Sequence, residues 1–598
     1  MNRHLKHEVL KCDFCVVGGG LSGSFAALAA ARRGAKVILM QDRPMLGGNA
    51  SSEIRMWVRG AKGKFERESG LISELEERNI RRNPTLVPSL FDATLYSMLR
   101  ENENIRLLLN CSCADAVAEK GHIVSVTGWQ TTTYTWYTVE ADYFADCSGD
   151  SILAPLIGAK YRHGREAKAE YGETLTPDVA DSYTMGMSIL LAARETDHPV
   201  PFTPPTFANV YPTDDSFANG KCDNKYALSR DHKIGTSGCN LWWVELGGDM
   251  DSIHDADRLR DELLAAIYGV WDHIKNRGDH GFENWDLEFV GFLPGKRESR
   301  RYIGDHILTE GEILEGGHFD DVVAFGGWPL DDHNPHGMRQ LGEDTSPSVC
   351  IPTPNPYGIP YRVLYAPDFD NFFFAGRNIS ATHAALSSTR VMATCSLLGQ
   401  AMGTAAALAV QHKTTPRGVY EDHLAALQRA LQEDDMFLPG KPVSYHKALT
   451  DAQTNLTDAQ KGALFNGIER PRIEGDENGI WQNVGEALTF TFPAPTALGT
   501  LRLRFDPDYT RESISINKKM KVFTQKLHTG KDFQPVKVAA TLVKGFTVLV
   551  DGKAVFTTND NHRSAVKIPL NVTGRELSIR WESTNGAKKV HLFAVDLI

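Results

Sequence analysis

The stretch that decides the fold is CDFCVVGGGLSGSFAALAAARRGAKVILMQDRPMLGGNASSE, residues 12–53. Asp13 to Val17 is short, mostly apolar and ends in glycines, the pattern of a strand buried inside a parallel sheet. Ser22 to Arg33 is alanine-rich and closed by Gly34, the pattern of a helix with its C-terminal cap. Between them Gly18-Gly19-Gly20-Leu21-Ser22-Gly23 matches G-x-G-x-x-G. In such a turn Gly18 permits the tight bend, Gly20 lets the backbone approach a pyrophosphate, and Gly23 lets the helix sit close on the strand. The helix N-terminus then aims its free N–H groups at the phosphates. A glycine string alone also fits an ordinary strand-to-helix turn. A second strand, Lys36 to Met40, follows at the right distance and favours the dinucleotide reading. The acidic residue that holds the adenosine ribose in this fold belongs near position 41, where the chain has Gln41 followed by Asp42; both stay candidates.

The turn serves NAD and FAD alike, and the next segment separates them. MLGGNASSE (45–53) places Gly47 and Gly48 just after the second strand, with Asn49, Ser51 and Ser52 behind them. This arrangement resembles flavoproteins of the fumarate reductase and glucose-inhibited-division type, and implies that the doublet and its polar followers meet the phosphates and ribityl chain of FAD. VEADYFADCSGDSILAPLIGA (139–159) resembles the strand of that superfamily that ends in Asp-x-(Ser/Thr)-Gly-Asp, here Asp146, Ser148, Gly149 and Asp150. NFFFAGRNISATHAALSSTRVMATCSLLGQAMGTAAALA (371–409) resembles its C-terminal flavin motif, a strand running into Ala375-Gly376 and then a helix. Gly399 and Gly403, one turn apart, permit close packing under the cofactor. The helix end around Ser388 to Arg390 would lie at the flavin N1/O2 edge and favour its anionic reduced form.

GKRESRRYIGDH (295–306) and YGIPYRVLY (357–365) are similar to the bacterial FAD-dependent oxidoreductase family more specifically than the glycine turn is. The resemblance spans residues 12 to about 412. It implies FAD as cofactor, with Leu21, Ser22, Arg43, Ala50, Cys113, Arg377, Arg390 and Val391 joining the contacts already named.

The expected architecture is α/β: a Rossmann-like FAD/NAD(P)-binding domain (1–165 and 366–414) split by an α+β substrate or capping domain (166–365). A helical linker (415–439) and a C-terminal all-β sandwich (440–598) complete it. Within the insert, 255–278 carries apolar residues at helical spacing, and NLWWVEL and DVVAFGG read as strands. The linker helix covers roughly 419–435. In the tail, ALTFTF (487–492), TLRLRF (500–505), FTVLV followed by Asp551-Gly552, LSIRW (577–581) and HLFAVDL (591–597) alternate with period two, the mark of antiparallel hairpins. LFNGIERPRIEGDENGIWQN (464–483) is similar to the opening of galactose-binding-like sandwiches. Such a module takes a sugar, or only packs on the enzyme or joins subunits; the two readings weigh evenly.

At 598 residues the chain exceeds one hydrophobic core. With 42% hydrophobic and 23% charged residues it has the composition of a globular protein. A net charge of -11 without a Lys/Arg run argues against a nucleic-acid partner. No run of eighteen apolar residues marks a membrane span. Nine scattered cysteines suit a reducing compartment. If Met1 is the natural start the expected location is cytoplasmic, and if a signal peptide has been removed it is periplasmic. Cys12 and Cys15 should face opposite sides of their strand and make a poor redox pair. A second nucleotide turn for NAD(P)H is not recognisable, so oxygen, a quinone or a redox protein is the expected electron acceptor.

Oxidising an alcohol needs a hydride donor carbon over the flavin and a base for the hydroxyl proton. His383 in GRNISATH is the candidate base. Arg297, Arg300 and Arg301 suit a carboxylate or an anionic intermediate, or else pair with Glu298 and Asp305 to join two domains. Arg55, Trp57, Trp328, His333, His336, Tyr357 and Tyr361 are candidate substrate contacts. Asp331, Asp332, His333 and His336 also invite a metal reading, which flavin chemistry does not require, and no metal is expected. The expected function is an FAD-dependent oxidoreductase moving a hydride between flavin and a polar small molecule, a carbohydrate derivative in view of the tail. The alternatives are a reductase of an unsaturated acid and a carbohydrate-binding protein with a structural flavin domain.

Overall fold

The computed structural model describes residues 5–213, 216, 240–242, 244–277, 280–339, 348–476, 478–511 and 534–598. Strand β1 (Lys6–Val17), helix α1 (Leu21–Arg32) and strand β2 (Val37–Met40) form the expected parallel unit. With β3 (Ile105–Leu108), β4 (Cys111–Glu119), β5 (His122–Gln130) and β6 (Thr135–Asp146) they build a sheet in the order β3-β2-β1-β6-β5-β4. The strand Phe372–Phe374 returns more than two hundred positions later and pairs in parallel with β6. Strands β4, β5 and β6 pair antiparallel, while β1, β2, β3 and β6 pair in parallel.

One face of β1, Phe14 and Val16, is covered by α1; the other, Cys15 and Val17, packs with Ile123, Val139 and Phe374. Both faces are dry, which is why the strand reads as a continuous apolar run. Cys12 and Cys15 correct the sequence expectation. Asp13 N and Phe14 N both donate to Lys36 O, a bulge that breaks the alternation, so both cysteines pack on one apolar cluster. Both thiols are free, and burial pushes Cys12 up to about 12.

Helix Met392–His412 crosses α1 at backbone contact. A Cβ on Gly399 would sit 2.1 Å from Ser22 O, and one on Gly403 2.1 Å from Ala26 O. This helix has the length and hydropathy of a membrane span, but 94% of that window is buried inside the protein. It is the core helix that ties the C-terminal motif to the glycine turn.

The insert forms short antiparallel sheets. Leu191–Glu195 pairs with Asn240–Leu241 and Trp285–Val290, and Met187–Ser188 pairs with Glu245–Leu246 and Gly295–Lys296. Trp243 of the NLWWVEL run, like Glu477 in the tail, lies outside the described residues. The helix read over 255–278 runs Ala256–Asp272 and continues as a π-helical turn, His273–Arg277. DVVAFGG holds the strand Val322–Gly326, paired with Tyr357–Pro360. Helix Pro416–Glu433, capped by the Thr415 side chain, leads into the tail.

Among the described residues the tail forms a sheet of seven strands, including the long Ala487–Phe505 and Ala565–Thr584, around Phe490, Phe505, Phe546 and Trp581. Asp551 (φ 47°) and Gly552 (φ 75°) make the two-residue turn between Val543–Val550 and Lys553–Thr558, as that dipeptide favours.

Candidate active site

A cavity of about 580 Å³ starts at the glycine turn and runs beneath the insert. One end is lined by Gly18, Gly20, Leu21, Ser22, Gln41, Asp42, Arg43, Gly47, Gly48, Asn49 and Cys113. Ser148, Gly149, Gly376, Arg377, Arg390 and Val391 line it further along. The fold therefore brings together positions as far apart as Gly18 and Val391. Among the expected cofactor positions, Gly23, Ala50, Ser51 and Asp146 stand behind the wall. A Cβ on Gly23 would meet Gly18 O at 1.9 Å, so this glycine sets helix–strand packing. Ser51 N donates to Gly48 O and closes the doublet's turn. Asp146 accepts from Ser148 N, Ser148 Oγ, Leu153 N and Tyr302 Oη, which fixes the Ser148–Gly149 corner.

The lining suits a dinucleotide. Gly18 has φ 101° and its Cβ would clash with Cys147 C at 2.4 Å, whereas a Cβ on Gly20 would meet nothing closer than Gly48 Cα at 4.0 Å. The space in front of Gly20 is thus open to a phosphate. Neither α1 nor Met392–His412 has a side chain capping its N-terminus; the first N–H groups of α1 stay available to an anion, while in Met392–His412 Ala393 N donates to Arg59 O. Gln41 is held differently from Asp42. Its Oε1 accepts from Gly19 N at 2.6 Å and its Nε2 donates to Met45 O at 3.2 Å, which commits the side chain to shaping the turn. The Asp42 carboxylate, 61% exposed, carries no such bonds.

The other end of the cavity is built by the segment 57–62 and by the insert. Trp57, Arg59, Lys62, Trp242, Arg297, Trp328, Asp331, His333 and Cys350 line it, with Arg300 nearby. Lys62 Nζ lies 4.3 Å above the Trp328 ring, and Arg59 is 5.4 Å from the same ring and 5.5 Å from Trp57. His333 is 4% exposed; its Nδ1 donates to Glu245 Oε2 at 2.7 Å, leaving Nε2 3.5 Å from Asp331 Oδ2. Burial would raise the Glu245 carboxyl, but Arg297 and His333 hold it down to about 2. Burial acts on Asp331 in the same way, and His333 and Arg390 hold it well below the usual carboxylate range.

Several expected substrate and catalytic residues lie elsewhere. His383 is 1% exposed and outside the lining: Nδ1 is 3.1 Å from Glu298 Oε1 and Nε2 3.0 Å from Asp332 Oδ1. Burial would lower its pKa, yet the two carboxylates raise it to about 10, so it is a fixed imidazolium with no nitrogen left for a substrate proton. Arg301 is buried among Glu166, Glu298 and the carbonyls of Gly164 and Ala381, the domain-joining role weighed from the sequence. Tyr357 Oη meets Ser388 Oγ and Tyr361 Oη donates to Pro416 O, both in the core. Arg55 stacks on Phe289 and His336 pairs with Asp249. Among the described residues no cluster of His, Cys, Asp or Glu could hold a metal ion.

Arg59, Lys62 and Trp242 in the lining, and Glu245 behind His333, are residues that the sequence did not single out. Only the proximity of Arg59 and Lys62 to Trp57 was visible there; Glu245 sits in a strand of two residues that has no periodicity.

Residues 13–431 match the sequence model of a family described as FAD dependent oxidoreductase. A glycerol-3-phosphate dehydrogenase of Mycobacterium leprae is 40% identical over 79 residues, a match that spans 13% of this chain and 13% of that protein. Among solved structures, a geranylgeranyl bacteriochlorophyll reductase-like protein of Thermoplasma acidophilum covers 71% of this chain and 86% of its own at 12% identity, with a TM-score of 0.34. The glycerol-3-phosphate dehydrogenase of Bacillus halodurans complexed with FAD covers 33% and 43% at 16% identity, with a TM-score of 0.20.

Proposed function

The chain belongs to the FAD dependent oxidoreductase family, and from that premise we propose that it oxidises a hydroxyl-bearing polar small molecule, a carbohydrate derivative, at His333 in the cavity wall, with Glu245 bonded to it from behind. Bound FAD supplies a ring that takes up or returns a hydride equivalent. Gly18 to Gly23 with the α1 N-terminus would hold its pyrophosphate, Asp42 the adenosine ribose, Gly47 to Asn49 the ribityl side, and the backbone at Arg390 and Val391 the ring edge.

His333 is the residue that moves the proton. It takes the substrate hydroxyl proton at Nε2, while Glu245 fixes the tautomer through Nδ1 and stabilises the imidazolium that results. Trp57, Trp242 and Trp328 wall the site and exclude water, which strengthens each of these charge interactions. The observation that carries the reading is an imidazole in the lining of the same cavity as the glycine turn, hydrogen-bonded from behind to the buried Glu245 carboxylate. The test is anaerobic: holoenzyme is mixed with polyols, sugars and sugar acids and the visible flavin band is followed. Bleaching in wild type that slows strongly in His333→Gln supports the reading; bleaching by no hydroxylated compound overturns it.

A second reading, reduction of an unsaturated acid, has one observation in its favour. Burial and the neighbouring Arg297 lower the pKa of Arg390, a direction that suits a guanidinium proton donor. For the tail, the contacts support the packing reading. Arg563 pairs with Glu74 and Glu77, Arg504 with Asp435, and Arg470 donates to Arg67 O, all across its junction with the flavin domain or the linker.

A further inference from the structure

Two guanidinium groups meet the cavity beside His333 with hydrogen-bonding capacity left over. Arg297, 5% exposed, donates from Nη1 to Gly186 O at 3.1 Å, while its Nη2 lies 3.3 Å from Glu245 Oε2 with no hydrogen bond. Arg390 donates from Nη2 to Asp331 O at 3.0 Å and stands 3.8 Å from Asp331 Oδ2, and its buried Nε has no hydrogen-bond partner. The two carboxylates within reach are each shared with His333, at 2.7 Å for Glu245 and 3.5 Å for Asp331. Both groups thus keep an N–H without a hydrogen bond despite their ion pairs, which is costly when buried, and the charge of Arg297 bears on Arg390 and adds to that cost. An incoming oxyanion relieves both, and the planar fork of arginine is built to receive one. The Trp242 ring lies 5.6 Å from the Arg297 guanidinium, so the acid-binding corner adjoins a flat apolar face suited to the C–H side of a sugar ring.

We propose that the substrate is an anionic polyol, whose acid group seats on Arg297 and Arg390 while its reacting hydroxyl addresses His333. The inference rests on the function proposed above and narrows its substrate class. The oxyanion could come from a carboxylate or a phosphate ester, and the experiment separates them.

Holoenzyme is titrated calorimetrically with D-glucuronate, glucose 6-phosphate and D-glucose, and the same compounds are assayed for flavin reduction under anaerobic conditions. The expected result is that one acid binds roughly a hundredfold more tightly than glucose, as a site made for charge-assisted hydrogen bonds discriminates. Glucuronate in that place identifies a carboxylate site and glucose 6-phosphate a phosphate site. In Arg297→Gln the acid-over-neutral ratio falls toward one, and in Arg297→Lys, which keeps the charge but loses the fork, it is partly restored; retention of the flavin spectrum shows that each variant is folded. Equal affinity for acids and glucose, or no calorimetric binding of either acid, overturns the proposal. If glucose bleaches the flavin as readily as the acids, the oxidoreductase reading stands and only this inference falls; if the acids bind and nothing bleaches, the reverse holds.

Discussion

Glu245 and His333 stand 88 positions apart in the chain and meet at 2.7 Å, through Oε2 and Nδ1, with His333 in the wall of the cavity that begins at the glycine turn and Glu245 behind it. Both are nearly inaccessible, so the carboxylate has no water to compete for the imidazole. His333→Gln removes the base but leaves a side chain of similar size. Flavin reduction by substrate is expected to slow by about 10²- to 10⁴-fold, the usual contribution of a positioned general base. Stopped-flow absorbance checks this, with FAD content measured in parallel. Reduction at the wild-type rate contradicts the assignment.

His383 has the opposite character. Burial would lower its pKa from 6.5, yet Glu298 and Asp332 lift it to about 10. A raised pKa in the folded state contributes stability that is complete below the unfolded value and lost as pH climbs through the folded one. The melting temperature of the wild type is expected to decline between pH 6.5 and about 10, and His383→Gln is expected to lower it at pH 6 and flatten that decline. Thermal unfolding across this range measures the effect. A variant with the wild-type slope contradicts it.

Gly399 and Gly403 hold helix Met392–His412 against α1 at backbone distance. Alanine at Gly399 would place its methyl carbon 2.1 Å from Ser22 O, in the first turn of α1 beside the cavity. Overpacking of this kind costs about 1–3 kcal/mol. Gly399→Ala is expected to lower the melting temperature and to weaken FAD retention during gel filtration, whereas Gly462→Ala, at a site where a Cβ meets nothing within 4 Å, is expected to do neither.

Cys350 lines the cavity from an exposed position, and its Sγ donates to Asp331 Oδ1 at 3.1 Å. Burial of the thiol group together with the Asp331 charge pushes it up to about 11. Iodoacetamide reacts with the thiolate, so labelling at Cys350 is expected to be slow at pH 8 and to rise about tenfold per pH unit until pH approaches 11. Peptide mass spectrometry reads the site. Substrate is expected to protect it, and labelling that saturates at pH 8 contradicts the placement beside Asp331.

The flavin half of the site was legible because its chemistry is backbone chemistry. Gly18 and Gly20 line the cavity with main-chain atoms, and the glycine pattern that permits this is written contiguously in the chain. The tail was legible through period-two alternation and the Asp551-Gly552 turn. The substrate half was not. Glu245 and His333 are joined by folding of the insert, whose strands are two to six residues long and carry little periodicity. His383 was chosen for its closeness in sequence to the flavin motif, but Thr382 caps the helix His383–Thr389 and turns the imidazole toward Glu298. Gln41 shows the same limit at smaller scale: its position was found, but its engagement by Gly19 N depends on a turn that only the fold defines.

The most direct measurement is an experimental structure of the protein with FAD bound. The pyrophosphate is expected at the N–H groups of Gly20 to Ser22 and the ring between the backbone of Arg390–Val391 and the wall of Trp57, Trp242 and His333. A ring lying away from His333, or a dinucleotide bound outside this cavity, contradicts this expectation.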